Sequence, residues 1–304
     1  MIHLALAQIA PTLGDMRANL ELHRKTALAA RRAGADLVVF PELSLTGYLL
    51  HDLVEDIAIP KEGSPELEGL LSLSRRIPLV VGLVERGTDQ ICYNSALFLA
   101  AGKVIHRHRK AYLPTYGMFD EGRTFGQGDR FQAFSTPLGR FGMLICEDAW
   151  HLSSSYLLAL DGADCLLILS SGPLHPREAE DGIGACGAWP DLCRGIARFL
   201  TVHVVYVNRV GVEDGIPFAG GSCAVDPLGK TLALSGSVQE DLLQVRLSSA
   251  ALRRARIRTP LLRDERTDLV RRHLERMARH PWEPGGHSMG HTPSRKEPAR
   301  GRLG

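Results

Sequence analysis

Residues 139–150 read GRFGMLICEDAW: a nearly apolar run closes on Cys146, an acidic pair follows at once, and then a helix begins. The run has the length and composition of a strand buried on both faces, as found in parallel sheets covered by helices. A cysteine at such a strand-to-helix turn can stand at a helix N-terminus. There the helix dipole lowers a thiol pKa and backbone N–H groups point outward. Downstream, residues 153–160 read as helix, 165–170 as strand, 190–200 as helix and 203–207 as strand. Strand patterns recur at 131–135, 221–225, 231–235 and 242–247. Upstream, strand 2–9 precedes a helix over 15–32, with Asp15 as N-cap and Gly34 as stop. Strand 36–40, helix 65–76 and strand 79–84 follow, then a hairpin of 91–101 and 103–109 turning at Ala101-Gly102. Two-sided apolar strands interleaved with helices predict an α/β layered fold.

The chain has 304 residues, 44% hydrophobic and 23% charged. These globular values exclude collagen-like, disulfide-scaffold and largely disordered classes. No linker rich in Pro and Gly divides residues 1–280, which are expected to form one domain. Residues 281–304 (PWEPGGHSMGHTPSRKEPARGRLG) are expected to be a disordered tail. The formal charge of +2 hides an asymmetry, because residues 246–304 hold 15 Lys and Arg against 6 Asp and Glu. Within that part, 253–279 reads as a connector and an amphipathic helix whose stripe is Val270, Leu274 and Met277. Without a nucleic-acid module or interleaved aromatics, nucleic acid is not an expected partner. The most apolar stretch, 157–169, is broken by Asp161 and Asp164, so no membrane span is expected. The amino end lacks a basic n-region, and the six cysteines form no CxxC pair or zinc spacing. A cytoplasmic location is therefore expected.

Two further motifs belong with Cys146. In FPELSLTGY, residues 40–48, Glu42 follows the end of a buried strand. In HRKAYLPTYGMFDEGRTF, residues 108–125, Lys110 ends a strand and Glu121 lies in the loop behind it, where it could hold the ammonium. Taken singly, Glu42 reads as a surface loop residue, Lys110 as a solvated lysine and Cys146 as a core thiol. Taken together they put three chemically complementary groups at strand carboxyl ends, where α/β sheets place their sites. A thiol nucleophile, a carboxylate base that takes its proton and a cation for the oxyanion suffice to attack a carbon–nitrogen bond. Residues 182–187 are formally GxGxxG but follow a charged stretch, not a strand. His106 and His108 lack companion ligands for a metal.

These three motifs, in this order, resemble the Glu, Lys and Cys signatures of the nitrilase, or carbon–nitrogen hydrolase, superfamily across roughly residues 1–275. The opening AQIAPTLGDMRANL and the later VVYVNRVG and GGSCAVDPLG are similar too. The resemblance implies a four-layer αββα sandwich, a homodimer or larger homo-oligomer joined through outer helices, and no cofactor or metal. It makes Cys146 the nucleophile, Glu42 the general base, Lys110 the oxyanion cation and Glu121 the second glutamate. TGY after Glu42, YGMFDE before Glu121 and CEDAW around Cys146 look like the glutaminase domain of glutamine-dependent NAD synthetases. By that likeness Tyr48, Tyr116, Glu147 and Gly172 would bind a small amide substrate. The chain departs from the branch at Ser170-Ser171-Gly172-Pro173, at 175–195 and at 210–215. It also carries no SGGxDS-type loop, so a synthetase partner would be a separate subunit. The expected reaction is hydrolysis of a small carboxamide with release of ammonia. N-carbamoyl amide hydrolysis, nitrile hydrolysis and a non-catalytic interaction protein on the same fold are the alternatives.

Overall fold

The computed structural model describes residues 1–60, 63–174, 188–236 and 238–279. In chain order the strands are β1 (Ile2–Gln8), β2 (Leu37–Val39), β3 (Leu79–Arg86), β4 (Cys92–Ala100), β5 (Lys103–Arg109), β6 (Phe134–Thr136) and β7 (Gly139–Ile145). They continue as β8 (Cys165–Ser170), β9 (His203–Asn208), β10 (Val212–Glu213), β11 (Ile216–Pro217), β12 (Cys223–Val225), β13 (Thr231–Leu234) and β14 (Asp241–Leu247). One sheet runs β14-β1-β2-β3-β4-β5 and the other β13-β12-β9-β8-β7-β6, while β10 and β11 pair as a small ribbon. In each sheet three adjacent strands are parallel, β1, β2 and β3 in the first and β7, β8 and β9 in the second.

The side-chain period of two along each strand makes four layers. Leu4 and Leu6 of β1 face inward with Val39, Val80 and Phe98, against Phe141, Met143, Ile145, Leu167 and Val205 of the second sheet. Their neighbours Ala5 and Ala7 face outward, packing with Val38 and Val81 on the helices Met16–Arg32 and Pro65–Ser74 through Ala27, Ala30, Leu67 and Leu70. On the far side, Leu144, Leu166, Ile168 and Val204 meet Leu158, Cys193 and Ile196 of the helices Leu152–Leu160 and Trp189–Leu200. The order is αββα, as expected. Truncating one such buried leucine to alanine costs about 2–5 kcal/mol.

The caps explain where the helices sit. Asp15 accepts from the N–H of Ala18, and Ser64 caps the second helix with Pro65 at its first position. Ala101 and Gly102 both have positive φ, 51° and 78°, which fits the twist of a tight hairpin between β4 and β5. One reading needs correction. Residues 253–258 are not a connector: the helix Ser249–Arg258 is capped by Ser248, buries Leu252 and Ala255, and pairs Arg256 with Asp164.

The described residues fall in two compact units, Met1–Arg263 and a segment from Asp264. The second unit holds the helix Thr267–Arg279, on which Leu274 and Met277 are exposed. The tail 281–304, the GxGxxG at 182–187 and Cys186 lie outside the described residues. Among the described residues no helix is long and apolar enough to cross a membrane.

Candidate active site

Glu42 stands three residues beyond β2, in a loop that comes so close to β3 that only glycine fits there. A Cβ on Gly82 would lie 2.3 Å from the Leu43 nitrogen and 2.6 Å from the Pro41 oxygen. Leu43 itself adopts a left-handed φ of 48°. Gly82 accepts from the Leu45 N–H at 3.0 Å, and the Ser44 hydroxyl is bound by Nε2 of buried His23 at 2.9 Å. The loop presents a fully buried carboxylate whose two oxygens are both engaged. Oε1 accepts from Lys110 Nζ at 2.8 Å and Asn94 Nδ2 at 2.8 Å, and Oε2 accepts from the Ser171 N–H at 2.7 Å.

Lys110 immediately follows β5, and its N–H donates to the Asn94 carbonyl on β4. Its ammonium, equally buried, also reaches Glu121 Oε1 at 2.7 Å, so it stands between two carboxylates as the sequence suggested for Glu121. Burial alone would lower the lysine pKa. The Glu121 and Glu42 charges outweigh it and hold the ammonium well above the ordinary lysine value. On Glu121, burial raises the carboxyl pKa against the pull of Lys110. Tyr48 donates its hydroxyl to Glu121 Oε1 at 2.6 Å. Its backbone N–H and that of Leu49 donate to Glu213 Oε2, and the buried Arg209 pairs with the other oxygen of that carboxylate, Oε1.

Cys146 follows β7 directly, in a left-handed conformation with φ 44°, unusual for a residue with a side chain. It opens a five-residue 3-10 turn, Cys146–Trp150, and not a full helix. The lowered thiol pKa suggested by a helix start is reversed. Burial, then the Glu42 charge, push the thiol above its ordinary value, against the smaller pull of Lys110 and the Ser170 hydroxyl. The Ser170 hydroxyl donates to Cys146 Sγ at 3.4 Å. The other described cysteines, Cys92, Cys165, Cys193 and Cys223, are buried and free.

The remaining expected residues divide. Tyr48 is buried beside Glu121. Tyr116 is 59% exposed at the rim, and its hydroxyl donates to Glu147 Oε2 at 2.8 Å. Burial and Glu147 raise that phenol to about 12. Gly172 is turned to Asn208, whose side chain takes its N–H at 2.8 Å and donates to its carbonyl at 3.2 Å. Tyr48 and Glu121 also line a cavity of about 510 Å³ with Leu49, Val54, Met118 and Phe119. Motif reading missed Asn94, Ser170 and Ser171, which surround the carboxylate and the thiol. The Ser170-Ser171 pair was visible only as a departure from a pattern, and Asn94 sits unmarked inside a strand. His106 stacks on Phe134 and His108 binds Asp148, and among the described residues no group of three or more His, Cys, Asp or Glu is placed to hold a metal ion.

An αββα sandwich with cysteine, glutamate and lysine gathered at its strand ends is the architecture of an amide- or nitrile-cleaving hydrolase. Residues 3–257 match the carbon-nitrogen hydrolase family, and the chain belongs to it, as a carbon–nitrogen hydrolase enzyme of the nitrilase superfamily. It is 30% identical over 239 residues to the glutamine-dependent NAD(+) synthetase of Acinetobacter baylyi, which covers 79% of this chain and 43% of that protein. The chain thus spans less than half the length of that synthetase. The crystal structure of carbon-nitrogen hydrolase from Helicobacter pylori G27 superposes with a TM-score of 0.78 at 25% identity, covering 90% of this chain and 99% of that one. A glutamate-to-glutamine mutant of the amidase from Nesterenkonia sp. AN1 gives a TM-score of 0.74 at 25% identity, covering 89% and 96%. That structure shows covalent addition of the acetamide moiety of fluoroacetamide at its active site cysteine.

Proposed function

We propose that the chain hydrolyses a small carboxamide through a thioester on Cys146, with Glu42 as general base and Lys110 as the cation of the oxyanion site. The observation that carries this reading is the convergence of two adjacent residues on thiol and base: the Ser170 hydroxyl donates to Cys146 Sγ and the Ser171 N–H to Glu42, whose other oxygen meets Lys110, itself held by Glu121. A thiol held protonated by burial needs a base at the moment of attack. Glu42, an anion within electrostatic reach, takes the S–H proton as sulfur bonds to the amide carbon. The carbonyl π electrons move to oxygen, and the charge that develops is offset by the Lys110 ammonium, which is fixed in advance by two carboxylates. Collapse breaks the C–N bond, and Glu42 returns its proton to nitrogen so that ammonia leaves. Glu42 then deprotonates a water that attacks the thioester, the acid leaves, and the sulfur recovers a proton. Glu121 orients Lys110, and Tyr48 fixes Glu121.

The covalent adduct on the cysteine of the Nesterenkonia amidase supports the nucleophile, and the likeness to NAD synthetases favours glutamine as the amide. The test is acyl transfer to hydroxylamine from propionamide and from glutamine, followed by mass spectrometry of Cys146. An acyl mass that disappears in Cys146→Ala is expected, with glutamine the better substrate in kcat/KM. Hydroxamate formation that persists in Cys146→Ala removes the nucleophile assignment.

A further inference from the structure

Asp148 reads in the sequence as half of the acidic pair after Cys146, with no task of its own. In the structure its carboxylate is completely buried and saturated with donors. Oδ2 accepts from the Ile145 N–H at 3.0 Å and from His108 Nε2 at 2.7 Å. Oδ1 accepts from the N–H groups of Ala111 and Tyr112, both at 3.0 Å. Three of these donors flank Lys110 on the strand β5 and the loop after it, in the first sheet. The fourth is the residue before Cys146, at the end of β7 in the second sheet. Because the partner is an acceptor, Nε2 of His108 carries the proton, and the ring packs against Phe131 at 5.7 Å.

From this geometry we infer that Asp148 is the positioning residue that sets the separation of the Lys110 ammonium from the Cys146 thiol, and that His108 completes it. This rests on the reading given under Proposed function. The left-handed backbone at Cys146 costs of order 1–3 kcal/mol and persists only where its surroundings over-determine it. The Ile145–Asp148 bond closes that turn. The same carboxylate fixes the backbone just past Lys110, so the two reacting elements are tied to one charge and not to each other. Charge-assisted hydrogen bonds are the stronger kind, which suits a joint between two sheets. An asparagine has the same size but only one acceptor oxygen. Its amide would face either the Ile145 N–H and His108 or the Ala111 and Tyr112 N–H groups, donor against donor. Asp148→Asn therefore releases one side of the joint without leaving a hole.

Asp148→Asn is expected to lower kcat about 10²-fold with KM nearly unchanged, the loss typical of a reacting group displaced by about 1 Å. His108→Gln, which disturbs one of four bonds, is expected to fold and to lose less. A second readout needs no known substrate: iodoacetamide alkylation of Cys146, followed by mass spectrometry, is expected to slow in Asp148→Asn and less in His108→Gln. The two losses are also expected to be non-additive with Lys110→Met, because a displaced cation and an absent one fail the same step. Wild-type alkylation rates in both folded variants, or strict additivity with Lys110→Met, overturn the positioning role. A wild-type chain that forms no acyl-cysteine with propionamide or glutamine overturns the amidase reading instead, and the alkylation rates still decide the placement of Asp148.

Discussion

The backbone N–H of Ser171, just past β8 of the second sheet, donates to Oε2 of Glu42, in the loop after β2 of the first sheet, at 2.7 Å. Base and nucleophile are thus held across the sheet interface by two consecutive serines, one on each group. All three hydrogen bonds to the Glu42 carboxylate come from donors, so a glutamine there must turn its amide toward one of them. Glu42→Gln is expected to lower kcat by about 10²–10⁴-fold through loss of the base, and stability by about 1–3 kcal/mol through the mismatched donor. Steady-state kinetics and urea unfolding measure the two separately, and a variant with full turnover removes Glu42 from the mechanism.

Lys110→Met takes the ammonium from between Glu42 and Glu121 and leaves the two buried carboxylates without it. Removing one partner of a buried ion pair typically costs about 3–5 kcal/mol, relieved when a carboxylate takes a proton. The variant is expected to lose turnover and to unfold more easily at pH 8 than at pH 5, relative to the parent. Equal destabilisation at both pH values contradicts that charge account.

Gly82→Ala tests whether the loop that carries Glu42 is placed by contact with β3. A methyl group 2.3 Å from the Leu43 nitrogen forces that loop outward. Overpacking of this kind costs about 1–3 kcal/mol. The expected result is a fall in kcat larger than the stability loss alone explains, since Glu42 moves with the backbone. Unchanged kinetics in the alanine variant rule out the close approach.

His23 supplies a pH dependence away from the reacting groups. Burial lowers its pKa to about 4, against the opposing bond to the Asn19 carbonyl. The folded value lies below the unfolded one near 6.5, so unfolding takes up a proton as the pH falls. Its contribution to stability is complete above about pH 6.5 and is lost progressively toward pH 4, by roughly 3 kcal/mol. Urea midpoints of the parent and of His23→Gln should differ in slope across that window. Because Nε2 is bound to Ser44 in the Glu42 loop, activity of the folded enzyme is expected to fall only as the pH nears 4, where the folded imidazole takes up its proton. Parallel slopes exclude His23 as the origin.

The periods of two and 3.6, the caps at Asp15 and Ser64, and the three motifs were all legible in the chain, because local patterns and strand-end placement are local properties. They determined the layered α/β class, the position of Cys146, Glu42 and Lys110 at strand ends, and the pairing of Glu121 with the ammonium. What only the tertiary structure decided is how these groups are held. Ser170 and Ser171, Asn94 and, apart from its local bond to Ile145, Asp148 act through partners 24 to 129 residues away, and no local signal marks such bonds. The sign of the thiol shift belongs there too: a cysteine after a strand suggests a helix dipole, but burial and a neighbouring carboxylate are set by packing between sheets. Sequence period places a residue on a face, and only the meeting of two faces fixes its charge.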